Sequence, residues 1–318
     1  MPAFVRDRRR GLRIGRGESS VERIGIISRL TIDFIFYGLD RLPEKGGEIR
    51  CANFVHTLGG GPVVSAIRLH AMGCPVKLGT YLGRSWESEE ARRLLESYNF
   101  SILEDLYTGN GQPVTVSSVM SMTSERSITS YEEAVPLPSP QALSDFYRDC
   151  SIAVVPLDAG TAEILKKSGK RLVYDTNDFD VELPPAFLER LDIITPNARE
   201  AAALTGTDCV DGALEKLSRM GVRHPVIKTG ASGCRTLLEG RFIHVPPPNR
   251  FHSVDTTGAG DNFLAGLLYG YQRGWDLPDC MAMANIWGEL STTAAGALGA
   301  SFAEADVLEI FRTAAKCR

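Results

Sequence analysis

The segment Asp255–Gly266 constrains the fold of this chain more than any other stretch. It reads Asp-Thr-Thr-Gly-Ala-Gly-Asp-Asn-Phe-Leu-Ala-Gly, and apolar residues continue at helical spacing through residue 269. This pattern predicts a glycine-rich turn that leads directly into a buried helix. The first N–H groups of a helix have no partner within it. Because the side chains of Gly258, Ala259 and Gly260 are small, a phosphate could approach these groups closely.

Asp261 follows this turn, although a carboxylate beside a bound phosphate would repel it. One interpretation is a first-turn or capping carboxylate, which is common. The other is a group that accepts a proton. The turn is not a P-loop, which needs Lys and then Ser or Thr after the last glycine. It is not a dinucleotide fingerprint either, because the glycine spacing differs and prolines 246–248 interrupt the segment before it.

Residues 255–261 match in full the Asp-Thr-x-Gly-Ala-Gly-Asp core of a family signature. The segment resembles the second signature of the ribokinase-like, PfkB-type carbohydrate kinases. The resemblance implies that the backbone of Gly258–Gly260 forms an anion hole and that Asp261 is the catalytic base. It also implies an α/β fold, a three-layer α/β/α sandwich with a mainly parallel central sheet and a small β lid. ATP and Mg²⁺ are the cofactors it implies.

The composition agrees with a single α/β domain that carries a small addition. The chain has 318 residues and a formal net charge of -4, which gives no reason to expect nucleic acid or an anionic membrane as partner. No apolar run approaches the ~20 residues of a membrane span. The seven cysteines are scattered and form no Cys-x-x-Cys pair, which favours reduced thiols in the cytoplasm.

Residues 1–20 are expected to form a disordered basic tail. The first sixteen residues contain six arginines and few apolar residues, with no hydrophobic segment of a secretory signal behind them. Residues 21–318 are expected to form the kinase domain.

Asp33 is the first candidate contact to an acceptor. Residues 24–27 and 32–35 are predicted to be short strands around the edge of the core, and Asp33 lies between apolar neighbours. A carboxylate can accept two hydrogen bonds from a diol. In the resembling family an Asn-x-Asp pattern supplies the Asp that holds two sugar hydroxyls. Here Thr31 stands in the place of the Asn, and a turn residue is the alternative interpretation.

Gly59, Gly60 and Gly61 form a second glycine-rich turn, and Pro62 follows at the predicted start of a helix. The turn resembles the first family signature, which implies contact with the acceptor. The chain departs from that signature, because Val64 stands where ribose-type kinases place an Asn. Gly61 also lacks the positive charge that a phosphorylated sugar would need, which favours an unphosphorylated acceptor. A tight turn before a packed helix is the simpler interpretation.

Residues 113–121 and 126–131 alternate between polar and apolar side chains, which predicts a hairpin. With residues 51–55 they would form a small sheet, so lid strands are expected within about 37–58 and 107–135. In the resembling family such a sheet covers the sugar and often forms a dimer interface. Arg126 in such a lid could reach the substrate, although exposed lid residues are more often plain surface. The resemblance also makes a homodimer through the lid possible.

From residue 151 onward, predicted strands alternate with predicted helices. The strands are 151–156, 171–175, 192–194 and 224–228, and the helices are 160–168, 185–190, 197–204 and 211–220. This order predicts a parallel sheet with helices on both faces, and ligands bind beyond the carboxyl ends of such strands. Polar residues, Asp175 among them, follow several of these ends.

Asn197 and Glu200 open one of these helices and have the spacing of an N-terminal capping box. In the resembling family an Asn-x-x-Glu motif at this place acts through water on Mg²⁺ and phosphate. Amide and carboxylate oxygens suit Mg²⁺. The two interpretations are compatible.

Three further groups of residues are assigned by the resemblance. Lys228, Thr229, Gly230 and Gly233 belong to a turn that lies near the nucleotide phosphates and ribose in the family, although a hairpin turn is the simpler interpretation. Asn285 resembles an Asn that lies by the adenine. The Asp255 and Thr257 carbonyls, with Gly296 and Ala297, resemble a site for K⁺.

These features predict an ATP-dependent enzyme that phosphorylates a hydroxymethyl group of a small sugar or sugar-like acceptor. A nucleoside kinase is one alternative, because a nucleoside also offers a diol and a hydroxymethyl group. A non-catalytic nucleotide or sugar sensor on the same scaffold is another, and the intact Asp261 disfavours it. A nicotinamide-dependent oxidoreductase is disfavoured because the Gly-x-Gly-x-x-Gly turn is missing.

Overall fold

The computed structural model describes residues 21–51, 53–100, 103–122, 126–176 and 182–316. The expected basic tail at residues 1–20 lies outside them. The described strands are β1 (Ile24–Ile27), β2 (Thr31–Leu39), β3 (Asn53–Gly59), β4 (Val76–Thr80), β5 (Leu103–Asp105), β6 (Thr115–Met122), β7 (Arg126–Tyr131), β8 (Ile152–Val154), β9 (Arg171–Tyr174), β10 (Ile193–Ile194), β11 (His224–Lys228), β12 (Cys234–Leu238) and β13 (Arg241–Val245).

Helices alternate with these strands over most of the described chain. They are α1 (Pro62–Ala71), α2 (Trp86–Ser97), α3 (Pro140–Phe146), α4 (Ala159–Lys167), α5 (Pro185–Leu188), α6 (Ala198–Thr205), α7 (Val210–Arg219), α8 (Ala259–Tyr271), α9 (Leu277–Ser291) and α10 (Glu304–Lys316), with a 3₁₀ turn at Gly230–Ser232.

Nine strands form the central sheet in the order β13-β12-β11-β10-β9-β8-β1-β4-β5. The strands from β11 to β5 in this order pair in parallel, and β12 and β13 add an antiparallel edge. Buried side chains pack on both faces of the sheet. The predicted α/β sandwich with a mainly parallel sheet is therefore confirmed.

Strand β1 lies inside this sheet, between β4 and β8, and not at the edge of the core as predicted. All four of its residues are buried. A short, continuous apolar run of this kind is typical of a strand that is covered on both faces.

The small sheet contains four strands in the order β3-β2-β6-β7, and it confirms the predicted lid. Strand β2 belongs to it, although residues 32–35 were expected around the core edge. Register places Asp33 beside Thr57 and Ser117, and Ser117 beside Ser130. Side chains of paired residues point to the same face of a sheet. One lid face is therefore polar near Asp33.

The opposite lid face is aromatic. Phe34 and Phe36 follow Asp33 by one and three residues, so their side chains point to the face opposite that of Asp33. Their rings are 6.3 and 5.2 Å, respectively, from the ring of Phe54. Phe54 is 51% exposed. This row of rings will be called the aromatic face, defined by Phe34, Phe36 and Phe54.

Helix α8 is buried along most of its length, from Asn262 to Gly270. Gly266 allows it to lie close to α9, since a side chain at this position would come within 2.7 Å of the Met283 carbonyl oxygen. This packing fixes the helix that carries Asp261 at its start. Among the described residues, no helix combines the length and apolar character needed to cross a bilayer.

The buried packing of α8 generates a stability prediction. Leu267→Ala removes a side chain that is 0% exposed, and we expect it to lower the free energy of unfolding by about 2–5 kcal/mol. Urea denaturation measures this change. Met220→Ala, at a position that is 37% exposed, is the control and should change stability by less than about 0.5 kcal/mol. Equal losses for the two variants would contradict the packing of α8.

Candidate active site

A cleft of about 660 Å³ lies beyond the carboxyl ends of β9 and β11 and at the start of α8. Most residues that the sequence predicted for the site line it together. They are Arg126, Asn197, Glu200, Lys228, Gly230, Gly233, Gly258, Ala259, Gly260, Asp261 and Asn285. This position agrees with the rule that ligands of parallel α/β sheets bind at the carboxyl ends of the strands.

The backbone amides at the start of α8 face this cleft. Gly258 is the N-cap, with a left-handed φ of 75°, and the helix begins at Ala259. A side chain at 258 would lie 2.2 Å from Cβ of Ala297, so both conformation and space require glycine there. We call Gly258, Ala259 and Gly260 the amide cup. No cap side chain covers the cup, so an anion could approach it. One of its three amides, that of Ala259, donates to the Thr256 carbonyl over 3.2 Å.

Asp261 is the third residue of α8, next to the amide cup, and it is half-buried. The pKa of its carboxyl is raised to about 6, chiefly by burial. The nearby charges of Asp175 and Asp33 contribute to this rise, while those of Lys228 and Arg126 oppose it. A carboxyl with this pKa is mostly ionised at pH 7 and can accept a proton.

Lys228 lies beside the amide cup, since a side chain at Gly260 would come within 3.3 Å of its Nζ. The ammonium group donates to Asp175 Oδ1 over 2.9 Å. Burial lowers the pKa of Lys228, but the carboxylates around it, Asp175 first, raise it more. The lysine is therefore a fixed positive charge at the cup.

Asp175 is the main residue of this site to which the sequence assigned no role. Its Oδ1 also accepts a hydrogen bond from Thr195, while its Oδ2 is buried and has no partner among the described residues. Its position after a predicted parallel strand was the available signal. Its pairing with Lys228, which is 53 residues away, could not be seen in the sequence.

Asn197 and Glu200 form the predicted capping box of α6. The Glu200 amide donates to Asn197 Oδ1 over 2.9 Å, and the Asn197 amide donates to Glu200 Oε2 over 2.7 Å. Oε2 of Glu200 accepts a second hydrogen bond from Thr176, and Oε1 accepts one from Asn197 Nδ2. Both carboxylate oxygens are thus occupied by the fold, even though Glu200 lines the cleft.

Asp33 and the turn at Gly59–Gly61 lie on the lid side and do not line the same cleft. They do lie together, because a side chain at Gly59 would be 2.1 Å from Asp33 Oδ2. Burial raises the pKa of Asp33 to about 6, opposed by a hydrogen bond from Ser117 and the charge of Arg126. Asp33 is not a turn residue, because it is the third residue of the nine-residue strand β2.

Gly60 and Gly61 also have the structure of a tight turn before a helix. Their φ values are 97° and 40°, and Gly61 is the N-cap of α1, with Pro62 in its first turn. A side chain at Gly60 would come within 2.3 Å of the Arg29 carbonyl oxygen. These glycines are therefore needed by the backbone whether or not they also bind an acceptor.

Asp255 connects the lid to the amide cup. Its Oδ1 accepts hydrogen bonds from the amide and hydroxyl of Thr257 and from Ser121 of the lid strand β6, and its Oδ2 accepts one from the Gly296 amide. Arg126 of β7 donates to the Thr256 carbonyl over 3.3 Å. The lid and the segment before α8 thus hold each other in place.

Two remaining predicted residues make local contacts. Asn285 donates through Nδ2 to the Val245 carbonyl over 2.8 Å. Thr229 donates through both its amide and its hydroxyl to the Gly233 carbonyl, which closes the 3₁₀ turn. Thr229 does not itself line the cleft.

Comparison with known proteins places this geometry in a family. A family model described as pfkB family carbohydrate kinase matches residues 20–302. Ribokinase of Arabidopsis thaliana is 25% identical over 300 residues, which cover 87% of this chain and 78% of that protein. A cytidine kinase of Thermococcus kodakarensis is 31% identical over 159 residues, which cover 45% of this chain and 57% of that protein.

The fold has close counterparts among solved structures. A structure of Arabidopsis thaliana ribokinase complexed with ribose and ATP has a TM-score of 0.75 at 22% identity and covers 92% of this chain and 99% of that one. At this level of identity the likeness concerns the fold.

The raised pKa of Asp261 generates a prediction about stability. Because the folded-state pKa of about 6 exceeds the ordinary value of 3.8, Asp261 contributes a loss of folding stability as the pH rises from about 4 to about 6. Asp261→Asn removes this loss. We expect it to raise the free energy of unfolding by about 1–3 kcal/mol at pH 7.5 and to have little effect at pH 4.

Urea denaturation at the two pH values measures this difference. The exposed Asp40→Asn is the control, and it should not change the pH dependence. A variant of Asp261 that is less stable than the wild type at pH 7.5 would contradict the burial of a charged carboxylate there.

Proposed function

The chain belongs to the pfkB family of carbohydrate kinases, and on that premise we propose that it transfers the terminal phosphoryl group of ATP to a hydroxymethyl group of a small, unphosphorylated sugar. The observation that carries this proposal is the open amide cup with the carboxylate of Asp261 directly after it. A phosphate bound at the cup would lie next to this proton acceptor.

The amide cup and the carboxylate of Asp261 would each act in one part of the reaction. The acceptor oxygen forms a bond to the terminal phosphorus as the bond from that phosphorus to the bridging oxygen of ADP breaks, and Asp261 takes the hydroxyl proton. Negative charge on the transferred group meets the N–H groups of the amide cup. Phosphoryl transfer depends mainly on such positioning and electrostatic stabilisation. A general base contributes typically ~10²–10⁴-fold in rate.

The nucleotide would lie along the cleft from the amide cup towards Asn285. Lys228 and the turn formed by Thr229, Gly230 and Gly233 would lie near its phosphates and ribose, and Asn285 would lie by its base. Lys228, Gly230, Gly233 and Asn285 line the cleft. The fixed charge of Lys228 beside Gly260 suits a phosphate. The solved ribokinase complex with ATP supports the use of this nucleotide.

Mg²⁺ bound to the phosphates would neutralise part of their charge. Within the described residues no group of three or more His, Cys, Asp or Glu side chains could hold a metal by itself, so the ion depends on phosphate and water ligands, as Mg²⁺ commonly does. Glu200 would bind a water ligand of the ion through Oε1, which accepts one hydrogen bond, whereas Oε2 accepts two. Asn197 lies beside it in the cleft and would bind another. Oδ2 of Asp175, which has no partner among the described residues, is a further oxygen that fits this role.

K⁺ remains a prediction, and the geometry gives it mixed support. The carboxylate of Asp255 is occupied by four hydrogen bonds, which leaves its carbonyl and that of Thr257 for a cation. The Ala297 carbonyl, in contrast, already accepts two hydrogen bonds, from Asn262 and Arg68. It therefore fits a cation poorly.

The acceptor would lie between the polar lid face and Asp261. Asp33 would hold a diol, and the hydroxyls of Ser117 and Ser130 lie 2.9 Å apart on the same face. Arg126 stands at the rim and would contact the substrate. Gly61 supplies no positive charge for a sugar phosphate. A nucleoside is the second candidate, because the cytidine kinase relative shares 31% identity over 159 residues.

A homodimer through the lid is part of the proposal. The aromatic face is exposed at Phe54 and is contiguous over three rings, and exposed apolar surfaces of this kind mark interaction sites. Residues 21–318 would act as one kinase domain in the cytoplasm, without nucleic acid or membrane as a partner. A net charge of -4 supports this last point.

The proposed role of Asp261 as the general base gives a prediction about turnover. We expect Asp261→Asn to bind ATP with unchanged affinity and to lower kcat by about 10²–10⁴-fold. A coupled assay of ADP release across sugars and nucleosides first identifies the acceptor, and calorimetry then compares ATP binding. Asp279→Asn, in α9, is the control and should retain wild-type kcat. Near wild-type turnover by the Asp261 variant would contradict the proposal, and so would wild-type protein that releases no acceptor-dependent ADP.

The lid generates a prediction about assembly. We expect wild-type protein to sediment as a dimer and Phe54→Asp to sediment as a monomer, because the substitution puts a charge into the aromatic face. Phe242→Asp is the control, since Phe242 is 41% exposed on β13. Analytical ultracentrifugation distinguishes the outcomes. A monomeric wild type, or equal effects of the two substitutions, would contradict the lid dimer.

A further inference from the structure

Helix α1 contacts the first turn of α8 through two polar side chains. Ser65 donates through its hydroxyl to the carbonyl oxygen of Asp261 over 2.6 Å. Arg68 lies one turn further along the helix and donates through Nε to the side-chain oxygen of Asn262 over 2.8 Å. Helix α1 begins at the Gly59–Gly61 turn. It therefore connects the acceptor side of the site to the catalytic turn.

Arg68 also binds the turn that follows α9. Its Nη1 donates to the Ala300 carbonyl over 2.9 Å, and its Nη2 donates to the Ala297 carbonyl over 3.4 Å. The guanidinium packs over the ring of Phe302 at 4.5 Å. One planar group thus joins three separate parts of the chain.

Asn262 carries this connection to the amide cup. Its Nδ2 donates to the Gly258 carbonyl and to the Ala297 carbonyl, both over 2.9 Å. Gly258 in turn packs against Ala297 so closely that no side chain fits between them. The left-handed conformation of Gly258 is therefore held on its carbonyl side by Asn262 and on its Cα side by Ala297.

We propose that Arg68 is a positioning residue that sets the geometry of the amide cup through Asn262 and the carbonyls of Ala297 and Ala300. The inference rests on the proposed phosphoryl transfer. Arg68 does not itself touch the substrate. It fixes the positions of Asn262 and Ala297, the two residues that contact Gly258. The N–H groups of the cup and the carboxylate of Asp261 then face the transferred group together.

The burial of Arg68 supports a role in positioning the groups around it. The residue is 6% exposed, and its hydrogen bonds to described residues go to neutral oxygens. Burial lowers its pKa to about 10, so it remains charged at neutral pH. Burying a charge is costly unless it is well hydrogen-bonded. The rigid fork of donors in arginine matches three fixed acceptors, which the single ammonium of lysine cannot do.

A purely structural role predicts a different result from a positioning role. If Arg68 only stabilises the fold, its loss lowers the melting temperature and leaves kcat of the folded protein unchanged. If it positions the cup, kcat falls while ATP still binds, because small displacements of catalytic groups cost up to about 10²-fold in rate. The two roles are separated by measuring kcat and the Kd of ATP at a temperature well below the melting transition.

The test uses Arg68→Met, with Arg68→Lys as the conservative variant and Arg273→Met as the matched control. Arg273 donates to the Tyr269 carbonyl over 3.0 Å at the far end of α8, and its guanidinium lies 3.5 Å above the Tyr269 ring. We expect Arg68→Met to lower kcat about 10–100-fold with the Kd of ATP changed by less than about twofold. Arg68→Lys should recover only part of kcat, and Arg273→Met should retain it.

Asn262→Leu provides a second route to the same result if Arg68→Met does not fold. It removes both donations from Asn262 Nδ2 and should lower kcat to a similar extent. The losses of Arg68→Met and Asn262→Leu should not add, because both act through Gly258. If the wild type is active and the Arg68 and Asn262 variants keep kcat within about twofold, the inference is overturned while the proposed function stands. An inactive wild type would overturn both.

Discussion

The open N-terminus of α8 is the feature on which the site depends. No side chain covers its first amides, because Gly258 at the N-cap takes a left-handed conformation that no larger residue could adopt against Ala297. The Ala259 amide donates to the Thr256 carbonyl over 3.2 Å. The helix behind these amides is buried, so the cup cannot shift without disturbing the core. The proposed site for negative charge would therefore use backbone amides, and the side chains around it would adjust its charge and geometry.

The side chains around the amide cup carry charges of both signs. Asp261 stands near two other carboxylates, Asp175 and Asp33, and near the positive charges of Lys228 and Arg126. Burial and the carboxylates raise the pKa of Asp261 to about 6, while the cations prevent a larger shift. The result is a carboxylate that is ionised at neutral pH yet basic enough to accept a proton, as the proposed reaction requires. Perturbed carboxyls of this kind are typical of functional sites.

The sequence predicted the parts of this arrangement that rest on local patterns. Alternation of strands and helices predicted the parallel sheet, and the spacing of Asn197 and Glu200 predicted the capping box. Pairing between distant segments could not be predicted. The contact of Arg68 with Asn262 spans 194 residues, and that of Lys228 with Asp175 spans 53. Strand β2 was misplaced because a short apolar strand does not reveal which of two sheets it joins.

The pH dependence of turnover tests most directly whether Asp261 is the base. At saturating ATP, kcat/KM for the acceptor should fall about tenfold per pH unit below an apparent pKa near 6, a value that Asp33 and Asp261 share because they interact. In Asp33→Asn the acidic limb should persist at a lower pKa, since the charge of Asp33 raises that of Asp261. Added to Asp33→Asn, which removes the other carboxyl with a pKa near 6, Asp261→Asn should abolish the limb of the residual activity. A limb that survives in this double variant, or is missing in the wild type, would contradict the account.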